Sequence, residues 1–527
     1  MSIVAHIAQT SARPSGLHRF VRRSPLKTFI ALNLSLSLAV FVAFVWSVDT
    51  WSVAAVVISA LVLVNAVWIS GGAATAILGL IAPAPRHTTP PAGWMPKART
   101  AVLLTLCGES PKAIAAYLEG FAKSLTHVGL ADTVDIFVNS DTSGAEAIQQ
   151  EEAAFAPLID AGLVTYRRRV LNTGKKPGNI ADWLGMHGNS FTYMVVKDAD
   201  SRMTAASIKQ MIWRMERAPN TGLLQAGIAL IPGRTRFGRH QRIASRLMSR
   251  NFGRGFAAWS GKTANYWGHI AIMRIAAFRC AAMLPELSGS APEVGATLSH
   301  EFVEAAWTRR AGWDIVLASD IQGSAEDAPQ TLGEFFRRDR RWCQGNLQHM
   351  RVLGQPGLHG LSRFHFVTGV FSYIAGPIWL VLVAALSAGM ISVSGVAPVL
   401  LVAMALLAPK ICALIDLLPR ARTWTRRTII LRASVSELIV SALIAPLVLF
   451  RHAGAVMSIL MGRDCGWKSG RKARFRILAG WIEGAVGALI LAVAMTSGIA
   501  GAPWLAVIYL PLLSAPVLVP MLDRRVS

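Results

Sequence analysis

The 527-residue chain carries 53 Lys and Arg against 29 Asp and Glu, a formal net charge of +24, yet only 16% of its residues are charged and 53% are hydrophobic. That charged fraction lies well under the ~25% of ordinary soluble domains, and it excludes a wholly soluble protein in favour of membrane spans joined to a soluble part. The basic excess suits anionic lipid heads and phosphate-bearing substrates, whereas no basic-aromatic module points to nucleic acid and the five scattered cysteines show no metal-ligand spacing.

In chain order, residues 1–97 hold a basic segment (Arg19, Arg22, Arg23, Lys27) and two apolar stretches, about 28–47 and 51–83. Each stretch meets the ~20 residues that a spanning helix needs. Composition then changes at Ala84-Pro85-Arg86 and Pro90-Pro91. From 98 to 350 short β-type runs alternate with helical patterns. TAVLLTLC (100–107) precedes a helix near 111–127, VDIFVNS (134–140) one near 143–162, and YMVVKDAD (193–200) one near 203–217. Alternation of this kind predicts a mainly parallel sheet with covered faces, whose ligands bind at the carboxyl ends of the strands. Three such ends carry acids: Glu109, Asp141 and the Asp198/Asp200 pair.

Apolar stretches resume at about 364–394, 396–418, 433–462, 476–499 and 502–521. The 433–462 element has basic flanks at both ends, Arg463 to Arg476 being the densest run, and Pro446 at its centre. It reads either as a tight pair of short helices or as an interfacial, re-entrant element, beside six spans. Basic residues near the span ends place both termini and the 98–350 domain in the cytosol. Lys410 interrupts LLVAMALLAPKICALIDLL ten residues before Arg420, about 15 Å along a helix, hence near mid-membrane. There it would line a polar path, be braced by Asp416 or Glu437, or snorkel to an interface.

Four motifs carry chemistry. D-x-D at a strand end suits a divalent cation on a diphosphate, and also a helix cap at Asp200 or Ser201. SHEFVEAAWTRRAGW (299–313) puts Glu301 and Glu304 on one helix face, as a general base or as an ordinary amphipathic start. RRDRRWCQGN (337–346) combines guanidinium groups for phosphate with Trp342 for a sugar face, and would equally serve as a basic membrane-proximal strip. RRRVLNTGKKPGN (167–179) reads as a basic loop that cradles phosphates or is simply solvated.

Together with NYWGHIAIMR, these stretches resemble the glucans biosynthesis glucosyltransferase H family, a branch of the processive family-2 glycosyltransferases. The resemblance covers about 98 to 460 well. It implies an α/β GT-A-like, Rossmann-type cytosolic domain inserted in a multi-span helical membrane domain (351–527 closing the chain), in an inner membrane. It further implies an inverting enzyme that uses UDP-glucose to extend the β-1,2-linked backbone of osmoregulated periplasmic glucans and moves the product outward. The implied partners are UDP-glucose, a growing glucan acceptor, membrane lipids and a periplasmic glucan-processing protein. By matched position, Asp141 contacts the uridine and Glu109 lies on the acid-bearing loop after the first strand. Lys176, Gly178 and Asn179 match the loop that meets the nucleotide, and Asp198 and Asp200 hold Mg²⁺ or Mn²⁺ against the donor. Glu301 matches the catalytic base, Arg341 lies near the diphosphate and Trp342 under the acceptor sugar. Three positions depart from the family: Glu301 replaces Asp, Lys197 replaces an apolar residue and would add a cation near the metal, and Ile270 replaces Asn. Other readings are another processive β-glycan synthase, a glycolipid glycosyltransferase, or a catalytically impaired transport or scaffold subunit.

Overall fold

The computed structural model describes residues 21, 23–83, 89–281, 284–287, 297–465, 480–498 and 503–526. Two apolar helices open it, α1 (Pro25–Trp46) and α2 (Val53–Ile81). An α/β domain follows, in the order β1 (Thr100–Leu106), α3 (Pro111–His127), β2 (Val134–Ser140), α4 (Ala145–Asp160), β3 (Thr165–Arg168), α5 (Lys175–His187) and β4 (Tyr193–Asp198). It continues with β5 (Arg202–Met203), α6 (Ala205–Arg217), β6 (Thr221–Ala226), β7 (Ala229–Leu230), α7 (Arg236–Ser260), β8 (Ala271–Arg274), α8 (Ile275–Phe278), α9 (His300–Arg310), β9 (Asp314–Ala318), β10 (Ser324–Glu326) and α10 (Leu332–Val352).

Seven strands form one sheet in the order β3-β2-β1-β4-β8-β6-β9. All neighbours are parallel except β8, which runs antiparallel to both β4 and β6. This is a GT-A-like mixed sheet. Its central strands are buried on both faces, as parallel strands under helices must be. Val102, Leu104 and Val195 pack to one side with α3 and α6; Ala101, Leu103, Met194 and Val196 pack to the other with Trp183 of α5 and Val303 of α9. Side chains alternate along a strand. On β4, Asp198 therefore shares a face with Met194 and Val196, and Lys197 shares the opposite face with Tyr193 and Val195. Lys197 accordingly is buried on the α3 side, its ammonium 4.2 Å from the centre of the Tyr117 ring and donating to the Ser201 carbonyl. Parity turns Lys197 away from the face of Asp198, yet its charge still acts on Asp200 and Asp198, as expected of a cation near that pair. Burial, helped by Arg202, carries its pKa down to about 7.

The membrane part closes with α11 (Gly360–Ser387), α12 (Ala397–Leu417), α13 (Trp424–Leu460), α14 (Trp481–Thr496) and α15 (Pro503–Asp523). Six helices among the described residues are long and apolar enough to cross a membrane. The set differs from the expected one. The 433–462 region is a single 37-residue helix with Pro446 inside it, not two short ones, while Trp481–Thr496 is only 16 residues long. Proline is tolerated within apolar helices where neighbouring helices re-satisfy the freed carbonyl. The basic run beyond 465 lies outside the described residues.

α7 joins the two parts. Gly255 on α7 meets the Thr75 carbonyl of α2, and Gly79 on α2 meets Asn251 of α7, each so closely that a Cβ would collide with backbone. Asn251 donates to the Ala76 carbonyl at 2.9 Å and Arg254 to that of Gly79, so α7 is bonded directly to the second span.

Candidate active site

Asp198 ends β4 on the face shared with α5 and α9. Lys176 donates to its carboxylate and, at 2.7 Å, to the carbonyl of Gly268. Gly268 has φ +88, a region that excludes most side chains, and a Cβ there would lie 4.0 Å from the Cβ and carboxyl carbon of Glu301. Lys176, Asp198, Gly268 and Glu301 therefore converge although they lie far apart in the chain. Burial alone would raise the Asp198 pKa, but Lys176 above all, with His269 and Thr105, outweighs it and carries the carboxyl down to about 2. Asp200 behaves in the opposite way. It opens to the cleft, yet the surrounding protein raises its pKa, and the Asp198 charge raises it further. No ion pair holds Asp200 among the described residues.

His269 and Glu326 flank this pair. His269 Nδ1 is 2.8 Å from Ser201 Oγ and its Nε2 is 3.0 Å from Glu326. Burial lowers the His269 pKa, but the Glu326 hydrogen bond and Asp198 raise it above the ordinary value. Neither residue was singled out from the sequence, although His269 stands in the NYWGH stretch. Ile270, next in line, has φ +54 and is buried. A β-branched side chain is strained there and Asn is better tolerated, which gives a backbone reason for the family's Asn at this position.

Glu301 sits in the first turn of α9, where the helix dipole favours a carboxylate. Behind it, His300 Nδ1 lies 3.0 Å from the buried Glu304 and Nε2 lies 3.9 Å from Glu301. Burial lowers the His300 pKa; Glu304, then Glu301, more than compensate and raise it. The buried Tyr266 hydroxyl has no hydrogen-bond partner among the described residues, and burial, with Glu304, Asp198 and Glu301, pushes its pKa well up.

At the far end of the cleft Asp141 is held by Arg169 in a two-point pair, 2.8 and 2.9 Å. The same guanidinium donates to the carbonyls of Thr173 and Lys175 at 3.0 Å. Arg169 thus fixes the turn that starts α5, a role invisible in the sequence beyond its membership of the RRR run. Lys176, Gly178 and Asn179 are not in a loop, as expected, but in the first turns of α5. The helix begins at once after Gly174, whose φ of +66 makes the turn, and Gly178 lets the Thr173 carbonyl pack against the helix. Asn179 accepts from Arg167. Glu109 turns back to accept from the Cys107 amide at 2.5 Å and so closes its own loop beside the cleft.

RRDRRWCQGN forms the middle of α10, started by a capping box between Thr331 and Glu334. Arg338 lies over Trp342, 4.4 Å from the ring centre, and Trp342 remains 39% exposed. Burial lowers the Arg338 pKa, opposed by the charges of Glu326 and Asp339. The Arg341 charge acts on Lys175 at the start of α5. Asp339 points the other way. It accepts from Tyr373 of α11 at 3.1 Å and pairs with His452 of α13, clamping the motif to the membrane helices.

Residues 193–408 match the family described as glycosyl transferase family group 2. Over 440 residues the chain is 39% identical to "Glucans biosynthesis glucosyltransferase H" of Vibrio cholerae, covering 78% of this chain and 61% of that protein. The protein of the same name from Shewanella oneidensis is 40% identical over 405 residues, covering 71% of this chain and 56% of that one. The chain thus spans about three fifths of the length of these curated relatives. Among solved structures, a mannosyltransferase from Pyrobaculum calidifontis in complex with GDP-Man and Mn²⁺ is 15% identical, with TM-score 0.45, over 72% of this chain and 97% of that one. TarS of S. aureus is 14% identical, with TM-score 0.32, over 60% and 54%. The chain is homologous to the glucans biosynthesis glucosyltransferase H proteins and carries a family-2 glycosyltransferase domain.

Proposed function

We propose that this protein is an inverting glucosyltransferase of the inner membrane that uses UDP-glucose to extend the β-1,2-linked backbone of osmoregulated periplasmic glucans and passes the chain outward. The observation that carries this reading is the convergence of Glu301 with the Lys176–Asp198 pair at the carboxyl end of β4. A base and a cation-bearing polar cleft are what glycosyl transfer from a nucleotide sugar requires. The names of the homologues supply the donor sugar and product class.

In this reading Arg169, by holding Asp141 and the start of α5, shapes the uridine end. Lys176 and Arg341 face the diphosphate, and Trp342 offers a ring face to the acceptor sugar. Glu301 takes the proton from the acceptor hydroxyl, whose oxygen forms the new bond to the anomeric carbon. The old carbon–oxygen bond breaks with its electron pair leaving on UDP, and attack from the opposite side inverts the centre. Asp200, with Asp198 in support, fits a divalent cation: hard carboxylate oxygens, one without an ion pair among the described residues and raised in pKa by burial and then by its neighbour. Mg²⁺ or Mn²⁺ bound there would neutralise charge on the leaving diphosphate. The catalytic domain and both termini lie in the cytosol, where UDP-glucose is made. The pairing of residues 524–526 with 234–236 of the α/β domain supports a shared side for domain and C-terminus.

The test is turnover by purified protein. UDP-glucose consumption with release of UDP, and a β-1,2 product by linkage analysis, are expected. A different linkage would favour another β-glycan synthase. No turnover of any nucleotide sugar by well-folded protein would leave a transport or scaffold subunit.

A further inference from the structure

α7 carries arginines along its length, and they divide into two groups. Arg250 and Arg254, in its second half, both reach Asp416 of α12, at 3.3 and 3.2 Å. Arg239, Arg242 and Arg246, in its first half, follow the i, i+3, i+7 spacing of one helix face. With Pro232, Gly233 and Ile243 they line a cavity of about 350 Å³ that no carboxylate lines. Neither Arg242 nor Arg246 has an ion pair among the described residues. The Nε of Arg242 is buried and has no hydrogen-bond partner there. That Nε is sealed from the cavity, so an anion there would meet the terminal guanidinium nitrogens of Arg242 and Arg246, which have no acid opposite them among the described residues.

Depth identifies the acceptor. The last apolar helix ends at Asp523, and the residues that follow pair at once with the chain leading into α7. Arg236 N donates to the Arg524 carbonyl at 3.1 Å, and Val526 N to that of Arg234 at 2.9 Å. Arg239 donates to the Val526 carbonyl at 3.2 Å. The cavity thus opens beside the point where a span leaves the apolar layer, at the level of lipid headgroups. Guanidinium forks match a phosphate's oxygens, and the stems of three arginines with Ile243 provide apolar wall beneath them.

We propose that the Arg239/Arg242/Arg246 cavity binds the phosphate of an anionic phospholipid headgroup on the cytosolic side. The inference rests on the membrane placement of the apolar helices and not on the transferase reading. It is separate from the acidic cleft, which has the opposite charge.

The full chain purified in detergent is titrated with a fluorescent short-chain phosphatidylglycerol, with phosphatidylcholine of the same length as control. Saturable binding of phosphatidylglycerol and little binding of phosphatidylcholine are expected. Arg242→Gln with Arg246→Gln should weaken the former by roughly thirtyfold, at about a factor of five per interfacial cation. Arg246→Gln alone, at an exposed position without an ion pair, keeps the protein folded and should weaken it by about fivefold. Arg234→Gln removes a charge outside the cavity and should change binding by less than about twofold, because exposed charges are largely screened. Equal binding by wild type and the double variant overturns the site. Displacement of the lipid by equimolar inorganic phosphate overturns the lipid assignment in favour of a free phosphate.

Discussion

At the junction of the membrane helices with the α/β domain, each acid is matched by cations. Asp416 has Arg250, Arg254 and Arg420; Glu437 has Lys410 at 2.6 Å; Glu483 has Arg451; Asp339 has His452, with the Tyr373 hydroxyl donating to it as well. In the cleft, Asp198, Asp200, Glu301, Glu304 and Glu326 crowd around Lys176, His269 and His300, and among the described residues Asp200 is left without an ion pair. Matched charge in a low-dielectric region ties helices in one register. Unmatched charge keeps its cost until a ligand or a reaction arrives, and so marks function.

The sharpest break of this contrast is Asp200→Asn. Removing the carboxylate that lacks an ion pair should leave folding intact and reduce UDP-glucose turnover below detection, with weaker UDP binding in Mg²⁺ or Mn²⁺. Normal turnover would sink the metal assignment. Glu301→Gln comes next. It keeps size and hydrogen bonding but removes basicity, so kcat should fall by roughly 10²–10⁴ with donor binding retained. A near-normal kcat would move the base to Glu304 or off α9 altogether.

Matched charge should respond in the reverse sense, through stability. Glu437→Ala leaves Lys410 without its acid and should cost about 3–5 kcal/mol, read as a lower thermal midpoint. The double variant Lys410→Met with Glu437→Leu should recover most of that loss, because replacing both partners by apolar groups removes the uncompensated charge. No recovery would mean that Lys410 does more than hold helices. The structure already narrows its role. Of the two acids expected to brace Lys410, Glu437 does so and Asp416 is engaged elsewhere. The helix that carries Glu437 also packs against α7.

The contrast also separates what the chain made legible from what it hid. Val134–Ser140 and Pro111–His127 stand where the sequence places them, because alternation and an N-terminal proline are local signals. The acidic strand ends were legible for the same reason. The nearness of Lys197 to the acid pair was legible, and parity with Asp198 puts its side chain on the opposite face of the sheet. Arg169 was hidden because its partner Asp141 lies across two strands, and no spacing encodes a bond made by the fold. α13 was misread at Pro446, where helix packing overrides a local breaker. The composition of α14 suggested a span, and only its helix ends show it to be short.

The smallest expected effect concerns His300 and Glu304, where the cleft most resembles the matched region. His300 lacks an exposed face, and its folded pKa is raised above 6.5 because Glu304 and Glu301 outweigh burial. A raised cationic pKa adds stability that is fully present below the unfolded value of 6.5 and is lost as pH rises through the folded value. Glu304→Gln removes the chief cause of that shift while keeping the side chain's volume. Wild type should therefore exceed Glu304→Gln in stability by about 1–3 kcal/mol near pH 6. The gap should shrink steadily as pH is raised through the elevated His300 pKa, since only wild type sheds a stabilising proton. Thermal midpoints of both proteins across this window provide the measurement. Parallel profiles would show that His300 is neutral in the fold, and that Glu304 is held by some other group.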